Sequence, residues 1–141
     1  MKFVCLVYID SVAIGALSEA EGRQLADDSI AFDWGLRDSG KLILAQPLQD
    51  PQTAVTVRQR AGKFSSTDGP FAEAKEHLGG FFLIEAETIE DAIAVAKTSP
   101  IMRVASIEVR PALVQVDSVT GRGRPEVAKS ERSGSFMHRD K

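Results

Sequence analysis

The sequence predicts an α+β domain: one antiparallel sheet with two helices on one face. Three observations carry this. Short apolar runs of strand character recur along the chain. Two segments with helical apolar spacing interrupt them, each opened by a capping residue. The length of 141 residues gives one domain a core of useful size and leaves no room for two ordinary ones.

The elements follow in order. Phe3 to Ile9 is an apolar run rich in β-formers, bounded by Asp10 and Ser11, and reads as a central strand. The next loop ends at Ser18. Ser18 and Glu21 have capping-box spacing, in which the hydroxyl accepts an orphan amide and the carboxylate returns the bond. Leu25, Ser29, Phe32 and Leu36 then fall on one helical face, and Gly40 closes the helix. Lys41 to Ala45 reads as a second strand, and the proline-containing segment 46–52 as a loop. Ala54 to Arg58 and Lys63 to Ser66 form a short hairpin through a turn at Ala61-Gly62. Residues 67–80 are rich in turn formers, so the next strand is placed at Phe81 to Ala86. Thr88 and Asp91 open a second helix with Ile89, Ala92, Ile93 and Ala96 on its apolar face, and Pro100 stops it. Val104 to Val109 is the last strand of the core, ended by Pro111.

The resulting order, βαββαβ with an extra hairpin, is the ferredoxin-like arrangement. Its second sheet face is left bare, and the simplest cover is a second copy, a dimeric α/β-barrel type of association. Residues 1–111 form this domain. Residues 112–141 are an extension in which Leu113 to Val119 adds an edge strand and the remainder is a solvated tail or an arm that wraps the body. Residues 121–141 carry six Lys or Arg against three acids, while residues 1–120 carry eleven basic against seventeen acidic side chains. The arm reading draws on that contrast.

The overall charge of -3 gives no reason to expect a nucleic acid or an anionic membrane as partner. The start, MKFVCLVYIDS, is too short an apolar stretch for a leader or a membrane span, so the cytoplasm is the expected location. The single cysteine, Cys5, sits in an apolar run and reads as a small buried hydrophobe in a reducing compartment. No metal site is predicted, because His77 and His138 are far apart and no ligand cluster has zinc spacing. Gly121-Arg122-Gly123 opens no anion-binding helix, and no cofactor is called for.

The chemistry-bearing residues centre on Thr67-Asp68-Gly69-Pro70-Phe71, which continues through Glu73, Lys75, Glu76, His77 and Leu78 to Gly79-Gly80-Phe81. Gly69 permits a positive φ, Pro70 stiffens the corner, and Asp68 can accept backbone amides there. Gly79 and Gly80 allow a close backbone approach or a bulge. Phe71 is expected to press on the core or on a partner subunit.

This run closely resembles the signature of the DGPF group within the YCII-related family. The likeness extends to a first strand ending at Tyr8 and a last strand Ile107-Glu108-Val109-Arg110-Pro111, about four fifths of the chain. The resemblance implies a dimeric ferredoxin-like fold similar to that of muconolactone isomerases. It also implies a functional link to a sigma factor, since such proteins are companions of the extracytoplasmic type. Relatives place a histidine and an aspartate in a cleft between sheet and helix. Aligned on Phe32, that histidine position is Ser29 here, which weakens any histidine-dependent mechanism.

Asp68 and His77 are therefore the candidate acid-base residues, with Tyr8, Ser29, Glu76 and Arg110 as candidate ligand contacts. Arg110 shares a face with Glu108, and the two can pair, or Arg110 can fix a small organic anion. Asp28 and Asp33 are further polar candidates on the first long helix, and solvation is the default role of the Asp27-Asp28 pair. Two function classes follow. One is a non-catalytic ligand-binding or regulatory module. The other is a small-molecule enzyme, isomerase- or lyase-like, in which Asp68 transfers a proton.

Overall fold

A computed structural model describes residues 1–126. The elements are β1 (Lys2–Asp10), α1 (Ser11–Gly15), α2 (Glu19–Asp38), β2 (Leu42–Pro47), β3 (Val55–Arg60), β4 (Lys63–Asp68), β5 (Glu76–Glu85), α3 (Ile89–Lys97) and β6 (Ala105–Pro111). Four strands form one antiparallel sheet in the order β2-β5-β1-β6, and β3 pairs with β4 as a separate hairpin. This is the expected βαββαβ topology with its inserted hairpin.

The local chemistry of each element is visible. The Ser18 hydroxyl accepts from the Glu21 amide at 3.1 Å, and the Glu21 carboxylate accepts from the Ser18 amide at 3.0 Å, completing the capping box of α2. Thr88 caps α3 through the Asp91 amide at 3.2 Å. Ala61 and Gly62, with φ of 49° and 76°, make a two-residue turn whose twist suits the β3–β4 hairpin.

Alternation along β1 buries Phe3, Cys5 and Val7. Their neighbours in the core are Phe82 and Ile84 of β5, Leu36 of α2 and Ala92 of α3. Phe32 meets Phe82 edge-on, with ring centroids 6.0 Å apart. Burial raises the Cys5 thiol to about 11, so it is protonated and unreactive at neutral pH.

Four expectations need correction. The fifth strand of the chain begins at Glu76, five residues before Phe81, because Gly79 and Gly80 lie inside it and not in the turn ahead of it. The loop after β1 contains the short helix α1, whose first amides, Val12 and Ala13, are held by the Asp10 carboxylate at 2.9 and 3.1 Å. Leu113 to Val119 adds no strand to the sheet. It leads into a tight turn, closed by a bridge between Val116 and Gly123, in which the Asp117 carboxylate accepts from Val119 and Thr120. Finally, Asp28 is not merely solvated. It accepts from Arg103 at 2.8 Å and from Gln24 at 2.7 Å, tying α2 to the turn at Pro100–Arg103.

The start of the extension follows the body. The Ala112 amide donates to the Lys2 carbonyl at 2.9 Å, and Lys2 pairs with Glu126. The wrapping-or-solvated expectation for the rest of the tail, and His138 with it, lies outside the described residues. Among the described residues, no helix is long and apolar enough to cross a membrane.

Candidate functional site

A cavity of about 370 Å³ opens between α2 and the sheet. Its floor is the β1–β5 seam near Val7, Ile9 and Gly79-Gly80, and one wall is α2 from Gly22 to Asp33. The end of β2, Ala45 to Leu48, forms the opposite rim. The walls are predominantly apolar, with a few polar groups, which is the usual build of a small-molecule site.

The glycines make this space. The register of β1 against β5 slips between Val7, which faces Gly80, and Tyr8, which faces Leu78. Gly79 is therefore the extra residue of a bulge. A Cβ on Gly79 would lie 2.2 Å from Cδ1 of Ile9. One on Gly80 would lie 3.0 Å from the Gln46 carbonyl oxygen and 3.1 Å from Cα of Pro47. Without a side chain at either position, β5 passes this closely beneath Ile9 and the end of β2.

Two polar residues of α2 stand in the apolar wall. Ser29 lines the cavity, and its hydroxyl is buried without a hydrogen-bond partner. A serine inside a helix usually donates to a carbonyl one turn back or points to water; this one does neither. Asp33, one turn further along, is half-buried, and loss of water contact raises its carboxyl above the usual range. Burial without a partner is the physical cause of both features.

The other candidate residues fall elsewhere. Asp68 is exposed at the end of β4, opposite Val55, and does not line the cavity. His77 sits on β5 opposite Ile9, outside the cavity lining, with its Nδ1 3.2 Å from the Ser11 hydroxyl. Glu76 is exposed opposite Asp10. Tyr8 and Arg110 belong to the opposite sheet face: Tyr8 faces Leu78 and Ser106, while Arg110 faces Val4 and pairs with Glu108. The structure thus brings Ser29 together with Gly79 and Gly80, and adds Asp33. It separates them from Asp68, His77, Glu76, Tyr8 and Arg110. Asp33 was legible as a site residue from its spacing, since four positions after Ser29 is the adjacent turn of the same helix.

A YCII-related domain model matches residues 1–114. The chain belongs to the YCII-related family. An uncharacterised protein of Rhizobium meliloti is 34% identical over 113 residues, covering 79% of this chain and 91% of that one. Among solved structures, 5-chloro-2-hydroxyhydroquinone dehydrochlorinase from Burkholderia phenoliruptrix, in complex with 2,5-dihydroxybenzoquinone, is similar to this chain with a TM-score of 0.48. That similarity is at 14% identity and covers 80% of this chain and 94% of that one.

Within this YCII-related domain the signature run does backbone work. Gly69 adopts φ +104°, its amide donates to the Ala54 carbonyl at 2.7 Å, and its own carbonyl accepts from the Thr56 hydroxyl at 2.9 Å. The Ser11 amide donates to the Lys75 carbonyl at 3.2 Å, which fastens the run to α1. Phe71 is 78% exposed, against the expectation that it presses on the core of its own chain. Arg58 lies over its ring at 5.1 Å instead, a cation-π contact that shields one face of the ring.

A larger hollow, about 770 Å³, lies at the other end of the sheet around Met1, Lys41, Glu87 and Asp91. It is wide and ringed by charged side chains. Among the described residues it holds no orphan polar atom, so the smaller cavity is the better candidate.

Proposed function

We propose that this protein is a small-ligand-binding module, with the cavity between α2 and the sheet as its binding site. The observation that carries this is the pairing of Ser29 and Asp33, both short of partners, in an apolar wall facing a bulge at Gly79 where a Cβ would press on the Ile9 side chain. Such a site supplies apolar contact area and a few orienting hydrogen bonds. The alternative, proton transfer by Asp68 with Arg110 holding an anion, draws less support, because the two residues lie outside this cavity and Arg110 is engaged by Glu108. The test is a fragment screen of the full chain followed by amide NMR. Hits are expected to shift resonances around Ser29, Asp33 and Gly79-Gly80. Ala26→Phe, on the exposed edge of the α2 wall, should abolish them while leaving the rest of the spectrum in place. Hits that map elsewhere and survive that substitution overturn the site.

The second element of the reading is a homodimer. Val4, Leu6 and Leu83 share the sheet face away from the helices, with Leu44 51% and Leu78 41% exposed. A second copy packed against this face would remove it from water. Equilibrium sedimentation should give twice the chain mass at micromolar concentration, and Leu6→Asp should halve it. A wild-type monomer under those conditions refutes the dimer.

A further inference from the structure

The reading of the cavity as a binding site can be deepened to a class of ligand, because the charge of its lining is one-sided. Among the described residues, Asp33 is the one ionisable side chain of the lining, and no Lys, Arg or His contributes to it. The other polar residues of the lining are Ser29, Gln46 and Ser99, and Gln46, paired with Phe81 opposite Leu6, reaches the cavity through its backbone. The Gln46 amide nitrogen is already spent on the Pro47 carbonyl at 3.0 Å.

The cations of α2 and its surroundings are also engaged. Arg103 donates to Asp28, Arg23 donates to Glu19, and Arg37 stacks over Trp34 at 5.0 Å. Among the described residues, no ion pair joins any of them to Asp33. An organic anion entering this space would lose its hydration, meet no counter-charge, and face a carboxylate. Transfer of an unpaired charge under those terms is strongly unfavourable. A ligand with a donor head meets the opposite situation. It offers Asp33 a charge-assisted hydrogen bond in a partly dry site and lets the apolar walls take its body.

We propose that the cavity takes small apolar molecules carrying one hydrogen-bond-donating head, a protonated amine or a hydroxyl, and discriminates against organic anions. Asp33 is the specificity-determining residue, and the Ser29 hydroxyl is a second partner for the head group. Gly79 and Gly80 provide the clearance for its body.

Three probes of one shape separate the possibilities: benzylamine, benzyl alcohol and benzoate, each titrated into the full chain and followed by amide NMR at pH 7. Benzylamine and benzyl alcohol should shift Ser29, Asp33, Gly79 and Gly80, and benzoate should bind at least tenfold more weakly. Asp33→Asn, nearly the same size, should weaken benzylamine about tenfold and bring it level with benzoate. If benzoate binds the wild-type cavity as well as benzylamine does, the choice of class is wrong while the cavity reading stands. That comparison needs no variant, so it is decisive even if Asp33→Asn folds poorly. If none of the three probes moves a cavity resonance, the binding-site reading falls and this inference with it.

Discussion

The signature run 67–75 and the cavity beneath α2 are the two most distinctive regions of the molecule, and they differ in kind. The run is conspicuous in sequence, exposed, and occupied with backbone geometry: a positive φ at Gly69, two hydrogen bonds around it, and an anchor to α1. The cavity is built from unremarked apolar positions, a serine and an aspartate, with its unusual chemistry hidden in what those two residues lack. The regions are joined by β5, where the same glycine-rich stretch ends the signature and floors the cavity. A run that stands out in the sequence can therefore shape a cavity without contributing its polar groups.

The sharpest way to break this comparison is at the junction. Gly80→Val places a branched side chain against the backbone of Gln46 and Pro47, which cannot turn aside as a side-chain tip would. Overpacking of this sort costs about 1–3 kcal/mol. Urea denaturation should show a loss near the upper end, with β2 displaced and the cavity reshaped. Gly69→Ala tests the signature alone. The position has φ +104° but open space around it, so the cost is conformational only, roughly 1–2 kcal/mol. It should lower stability yet leave fragment binding in the cavity untouched. Equal effects of both variants on binding would erase the distinction between the two regions.

Much of the fold was legible because its signals are local. The Ser18–Glu21 box, the Ala61-Gly62 turn and the alternation of β1 each act within a few residues, and each appears as read. Gly79 and Gly80 were read as permitting a close approach or a bulge, as they do, but the strand was started after them because glycine marks a turn equally well. The site was less legible for a related reason. Ser29 is recognisable as a polar residue on the apolar face of the helix, but its buried, unpartnered hydroxyl depends on packing that no short window of sequence encodes. Asp68 and Arg110 attracted attention through their motifs, and tertiary structure put them on other surfaces.

Ser29→Ala should show the opposite sign to the glycine variants. It removes a hydroxyl that helix and cavity leave unsatisfied, and alanine is the better helix former. Stability should rise by about 1 kcal/mol, measured by chemical denaturation, while the affinity of a hydroxyl-bearing fragment falls. Loss of stability instead would mean that the hydroxyl has a partner in solution, and would remove it from the site argument.

The smallest expected effect is the most informative about Asp33. Its carboxyl is raised by burial in the folded chain, so between the unfolded value, about 3.9, and the higher folded value the native state holds more protons than the unfolded one. Its contribution to stability therefore falls as pH rises through that window and stays low above it. Asn carries no such charge. Asp33→Asn should accordingly match the wild type in thermal midpoint at pH 3 and exceed it at pH 7 by about 2 °C, a modest gap because the group keeps part of its contact with screening water. Taking the difference between the two proteins at each pH cancels the carboxylates that run the other way, such as Asp28 beside Arg103 and Asp10 at the start of α1. A variant that is less stable at pH 7 than at pH 3, relative to wild type, would mean that Asp33 is paired when ionised. The cavity would then hold a cation of its own, and the charge argument for its ligand would reverse.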